Sequence, residues 1–249
     1  MKQERELEFS LLVVIYPLFF AIIIWSVYWM ELLTGEDLTR LGIMPRKLSG
    51  VPGIILSPFI HSSLEHLWNN TLPLIILSSA LFYFYRKISW KVLIYGLLIS
   101  GMLTWLIGRQ AYHIGASGMI YTLVSFIFFK GIMAGNYRLI ALSLLVVFLY
   151  GSMIWYVIPV NDEISWEGHL SGALAGLFLA FVYRTQVLQP YRYQWEREDY
   201  NEESDPFLQQ FDEDGNFIGT GEGEKSDDDN IAKPKGHLRI KYHYREKED

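Results

Sequence analysis

Apolar residues in this chain come in long blocks, not in the alternating or one-faced patterns of a soluble fold. After a short charged start, Met1 to Glu8, the run from Phe9 to about Leu33 is almost wholly apolar. At ~1.5 Å per helical residue it can cross a hydrocarbon core of about 30 Å. The run is too long for a signal peptide and no small-residue cleavage site follows it, so it reads as a retained membrane helix. Further blocks run from about Leu64 to Tyr85, Val92 to Ile107, Ala116 to Met133, Leu139 to Pro159 and Gly168 to Val187. Together they predict an all-α membrane protein, a bundle of six transmembrane helices over residues 1–188, followed by a polar tail over residues 189–249. Between the first two blocks, Gly42, Pro45, Gly50, Pro52, Gly53 and Pro58 break any long helix while Ile43, Met44, Ile54, Ile55 and Leu56 stay apolar. That loop is expected to fold at the membrane interface instead of crossing.

Charge sharpens this division. From Gln189 onward the chain has 9 Lys+Arg against 17 Asp+Glu, a charge of −8, which leaves +2 for the body out of the total of −6. A near-neutral membrane body thus carries an acidic tail, and no nucleic-acid partner is expected. Lys and Arg near the helix ends favour a cytoplasmic N-terminus. Lys2, Arg5, Arg86, Lys87, Lys91, Lys130, Arg138 and Arg184 then fall inside, with Arg40, Arg46, Lys47 and Arg109 outside. The expectation is N-terminus and C-terminus both cytoplasmic, in a bacterial plasma (inner) membrane, since no extra span or targeting presequence is read. In the tail, Tyr191, Tyr193 and Trp195 read as interfacial aromatics. Asp212 to Asn216 resembles the start of a calcium loop but has Gly223 where the twelfth-position glutamate belongs, so it reads as a turn. Asp227 to Asp229 reads as a solvated, disordered acidic run, and Leu238 to Tyr244 as a strand that pairs with Phe217-Ile218.

The chain has no cysteine, which excludes disulfides, thiolate nucleophiles and Cys-ligated metals. Four of its six histidines, His61, His66, His113 and His169, fall in the apolar body, where ionisable side chains are costly and mark function by default. In the expected topology the second, fourth and sixth spans all run inward from the outer face. His66, Ser117 and His169 begin those three spans and so share one depth. Ser117 is flanked by Gly115, Ala116 and Gly118, which leave its hydroxyl unshielded. Small residues at this spacing also serve plain helix packing. A serine hydroxyl needs a base to become a nucleophile at neutral pH, and histidine is suited to that role. His169 is the chosen base, because Gly168, Gly172 and Gly176 line a ridge that lets the sixth span approach the fourth. Tyr121, one turn beyond Ser117, is placed to stack on His169 or simply to pack the core. His66 and Asn70, four apart, share a face and can aim donors at an oxyanion alongside the Ser117 amide, although an asparagine there also serves as a cap or an interhelical bond. Glu167 lies on the wrong side of the helix turn to orient His169, so a Ser-His dyad is the economical reading.

These residues resemble the rhomboid intramembrane serine proteases. The resemblance is carried by Gly115-Ala116-Ser117-Gly118, by Gly168-His169 with Gly172 and Gly176, and by His61, His66 and Asn70, over about residues 9–187. It implies a catalytic Ser117-His169 dyad, an oxyanion hole from the Ser117 amide, His66 and Asn70, Tyr121 stacked under the base, and no cofactor or metal. It also implies transmembrane protein substrates cut in or near the lipid bilayer. His61 takes a structural role and His113 none. The sequence departs from the family in its first loop, where Pro45-Arg46 stands without the Trp-Arg pair of many bacterial members. Two other readings stand beside the protease. One is a non-catalytic rhomboid-like binder of membrane helices. The other is a transporter or channel that uses His61, His66 and His169 for protons or metal, against which stands the clustering of polar groups at one face.

Overall fold

The computed structural model describes residues 9–159, 165–185, 200–212 and 215–217. Contacts divide the chain into two units, Met1–Pro190 and Tyr191–Asp249. The first unit is built of helices: α1 (Leu12–Thr34), the single turn α2 (Gly53–Leu56), α3 (Leu64–Phe84), α4 (Ser89–Ile107), α5 (Ser117–Met133), α6 (Tyr137–Tyr150) and α7 (Trp166–Val182). Among the described residues there is no strand, only isolated bridges. By length and composition, α1, α3, α4 and the stretch Tyr137–Val157 can each cross a membrane. The helices α5 and α7 have 17 residues each, shorter because each begins at a polar cluster and not in apolar sequence.

Boundaries differ from the sequence reading in three places. The third span starts at Ser89, whose hydroxyl donates to the Leu81 and Tyr85 carbonyls and ties α4 to the end of α3. The fifth block stays apolar to Pro159, yet α6 stops at Tyr150 and the chain tightens into a 3₁₀ helix over Gly151–Val157. Apolarity reports burial, not which helix forms, so the apolar pattern did not mark this change, although Gly151 stands where α6 ends. The sixth span is α7, which ends at Val182. The interfacial aromatics Tyr191, Tyr193 and Trp195, the run Asp227–Asp229 and the strand at Leu238–Tyr244 lie outside the described residues.

Helices α5 and α7 share the closest seam. A Cβ on Gly172 would stand 2.2 Å from the Gly118 carbonyl oxygen, and one on Gly176 2.3 Å from that of Thr122. Backbone therefore meets backbone there, and Ser125 Oγ bonds across to the Ala173 carbonyl at 2.7 Å. At the far end of the seam the fully buried Lys130 donates to the Tyr183 and Arg184 carbonyls at 2.6 and 3.0 Å. Its ammonium thereby caps the carbonyl end of α7.

The loop between α1 and α3 lies across the end of α4. Arg46, at φ 57°, donates its amide to the Trp105 carbonyl and its guanidinium to the Leu106 and Gly108 carbonyls. Trp105 Nε1 donates back to the Lys47 carbonyl, and Gln110 Nε2 to that of Pro45. Ile43 and His113 exchange both backbone hydrogen bonds. An irregular loop beside an apolar bundle needs its polar backbone satisfied, and these bonds do that.

In the second unit, Asp212 and Asn216 close a turn. Gly215 N–H reaches the Asp212 carbonyl at 2.9 Å, and Phe217 bridges Phe211.

Candidate functional site

The candidate residues converge at one end of the bundle, where α3, α5 and α7 all begin. Ser63 caps α3, its hydroxyl accepting from His66 N–H at 3.1 Å, so His66 sits in the first turn with Asn70 one turn on. Gly115, at φ +99°, turns the chain into α5. A Cβ there would stand 2.6 Å from His66 Nε2 and 3.3 Å from Asn70 Nδ2, so only glycine fits at this approach. The Asn70 amide nitrogen is buried with no hydrogen-bond partner, while Asn69 is exposed. Ser117 is the first residue of α5 and half-buried. A cavity of about 30 Å³, lined by Ser57, Ser100, Thr104, His113, Ser117 and Ser165 among others, adjoins it and has room for roughly one or two waters.

From the other side α7 presents His169, buried with 8 % of its surface exposed. Its imidazole lies flat on the Tyr121 ring, centroids 4.2 Å apart and planes at 14°. Its Nδ1 is 2.9 Å from the Tyr156 carbonyl oxygen. A carbonyl only accepts, so Nδ1 carries the proton and Nε2 keeps its lone pair. Tyr121 is anchored in turn, its hydroxyl donating to the Met153 carbonyl at 2.7 Å. Both anchoring carbonyls come from the 3₁₀ segment after α6. A Cβ on Gly118 would stand 3.5 Å from the Gly168 carbonyl oxygen, an ordinary contact, so the close approach of the two helices is set by Gly172 and Gly176.

Glu167 is engaged with Arg109. Its buried carboxylate accepts the Arg109 amide at 3.1 Å and pairs with the Arg109 guanidinium at 3.6 Å. His61 packs edge-on against His66, centroids 5.0 Å apart, and burial, followed by the neighbouring His66, pushes its pKa down to about 4. His113 joins three segments through its ring and backbone: Nδ1 lies 2.5 Å from Ser165 Oγ, Nε2 3.1 Å from the Arg109 carbonyl, and its backbone pairs with Ile43. Among the described residues no three His, Asp or Glu side chains converge as they would around a metal ion.

Sequence reasoning overlooked the Tyr156 and Met153 carbonyls, because every residue has a carbonyl and nothing in a side chain marks which will be used. It also overlooked Ser165, which caps α7 by accepting from Gly168 N–H at 3.3 Å. A serine just before an apolar helical run is the ordinary mark of a helix start and was there to be read.

A bundle of apolar helices, several of them long enough to cross a membrane, with the candidate residues converging at one end, marks an integral membrane protein. Residues 49–186 match the Rhomboid domain, and the chain belongs to the rhomboid family. An uncharacterised protein of Mycobacterium tuberculosis is 34% identical over 179 residues, covering 66% of this chain and 72% of its own length. One of Mycobacterium bovis matches to the same extent. One of Mycobacterium leprae is 31% identical over 174 residues, covering 66% of this chain and 68% of its own.

Proposed function

We propose that this chain is an intramembrane serine endopeptidase that cuts transmembrane protein substrates through a Ser117-His169 dyad. One observation carries the reading. His169 is held by a ring stack and a carbonyl at Nδ1, which leaves Nε2 unprotonated on a helix packed closely against the one that Ser117 begins. The Tyr156 carbonyl takes the orienting part that an aspartate takes in a triad. In the reaction, His169 Nε2 accepts the Ser117 hydroxyl proton as Oγ attacks the scissile carbonyl. The Ser117 amide, at the positive end of α5, and the His66 and Asn70 side-chain nitrogens around Gly115 receive the developing oxyanion. His169 then passes the proton to the leaving amine, and water hydrolyses the acyl-enzyme.

A transmembrane helix has its carbonyls bonded and shielded, so the substrate must unwind at the cleavage point, which favours small or helix-breaking residues there. Positive charge at the helix ends supports cytoplasmic termini, a site near the outer membrane face, and an acidic cytoplasmic tail.

The test is labelling of the purified protein in liposomes with a fluorophosphonate probe, comparing wild type with Ser117→Ala and His169→Ala. Labelling that needs both residues is expected. A folded wild type that takes no label would overturn the reading in favour of a non-catalytic binder of membrane helices.

A further inference from the structure

We propose that the His113-Ser165 pair is a positioning device that sets the distance between nucleophile and base, with both residues acting through Ser117 and His169 and neither touching substrate. The inference rests on the protease reading above. It starts from a register relation: His113 lies four residues before Ser117, and Ser165 four residues before His169. The bond between them, 2.5 Å from His113 Nδ1 to Ser165 Oγ, joins the loop that carries the nucleophile to the start of the helix that carries the base. Both residues also line the small cavity beside Ser117.

The hydrogen-bond directions are fixed by chemistry. The Arg109 carbonyl, 3.1 Å from His113 Nε2, can only accept, so Nε2 carries the proton and Nδ1 is the acceptor. The Ser165 hydroxyl therefore donates to His113 Nδ1, and its oxygen accepts the Gly168 N–H that begins α7. The direction runs without conflict from Gly168 through Ser165 and His113 to Arg109. Burial holds the His113 pKa below the ordinary histidine value, which favours the neutral ring. Each end is secured further. The Ile43 backbone pairs with that of His113, and Glu167 of the same α7 turn grips Arg109 through its amide and guanidinium. What the Ser165 hydroxyl adds is a direct fastening between the two loops that converge on the dyad. A misplacement of about 1 Å can cost on the order of a hundredfold in rate, so such a fastening has a kinetic signature.

The experiment measures the second-order rate of fluorophosphonate labelling, and kcat and KM on a transmembrane reporter in liposomes, for wild type, Ser165→Ala, Ser165→Thr, His113→Asn and the Ser165→Ala/His113→Asn double variant. Expected is a fall of about tenfold or more in labelling rate and kcat for Ser165→Ala with KM unchanged, and recovery to near wild type in Ser165→Thr, which keeps the hydroxyl. The double variant should be no slower than the slower single one, because both changes remove the same bond. Losses that multiply in the double variant, a Ser165→Ala rate equal to wild type, or a fall in Ser165→Ala that threonine does not recover would each overturn the positioning role while leaving the protease reading intact. Absence of labelling in folded wild type would remove the protease reading itself.

Discussion

The imidazole of His169 and the phenol of Tyr121 lie nearly parallel, 4.2 Å apart, on helices that meet through glycine. The stack confines the imidazole to one plane, while the Tyr156 carbonyl selects its orientation within that plane. Removing the ring and removing only its hydroxyl therefore have different effects. Tyr121→Phe keeps the stack and loses one hydrogen bond to Met153, at about 1 kcal/mol of stability and a few-fold in turnover. Tyr121→Ala leaves a cavity under the base, at about 3–5 kcal/mol, and lowers kcat far more. Thermal unfolding and turnover of a transmembrane reporter check both.

The seam between α5 and α7 ranks its own glycines. In Gly172→Ala the added methyl meets the Gly118 carbonyl at 2.2 Å, and backbone cannot swing aside as a side chain can. The variant is expected to lose about 3 kcal/mol or more and most of its activity. Gly118→Ala meets nothing nearer than 3.5 Å and is expected to stay within about 1 kcal/mol of wild type in stability. Equal melting temperatures for the two would contradict the seam.

His61 gives the fold an acid limit. Burial lowers its pKa from 6.5 to about 4, so the folded state holds the ring neutral where the unfolded chain binds a proton. Its contribution is complete above pH 6.5 and declines as pH falls towards about 4, a loss of up to about 3 kcal/mol at roughly 1.4 kcal/mol per unit. His61→Leu should flatten that limb of a stability-against-pH curve, and an unchanged slope would show that other groups set it.

The Arg109-Glu167 pair is expected to respond asymmetrically. Arg109→Met leaves the buried Glu167 carboxylate with a single backbone donor, at about 2 kcal/mol. Glu167→Gln keeps an oxygen for the Arg109 amide and should cost about half as much. Chemical denaturation of the two variants tests the order.

The convergence of the candidate residues was legible in the sequence because it follows from residue type and spacing. Ser117, His169, His66, Asn70 and Tyr121 are brought to one end of the bundle, as four-residue spacings and the starts of three apolar blocks imply. What stayed hidden was supplied by backbone. The Tyr156 and Met153 carbonyls that hold His169 and Tyr121 sit in a segment whose apolar pattern does not distinguish a 3₁₀ turn from a continuing α-helix. Loop charge was similarly opaque. Arg46 falls outside in the expected topology, and its guanidinium is committed to the carbonyl end of α4, where a cation is favoured.

Lys130 makes the order of synthesis matter. Its acceptors, the carbonyls of Tyr183 and Arg184, are made more than fifty residues later. Until Tyr183 and Arg184 are made, neither of these carbonyls is there to receive the α5 ammonium. When α7 arrives the ammonium gains both carbonyls and is sealed from solvent. Helix α7 thus completes α5, and a chain cut ahead of α7 would leave the Lys130 ammonium without either carbonyl.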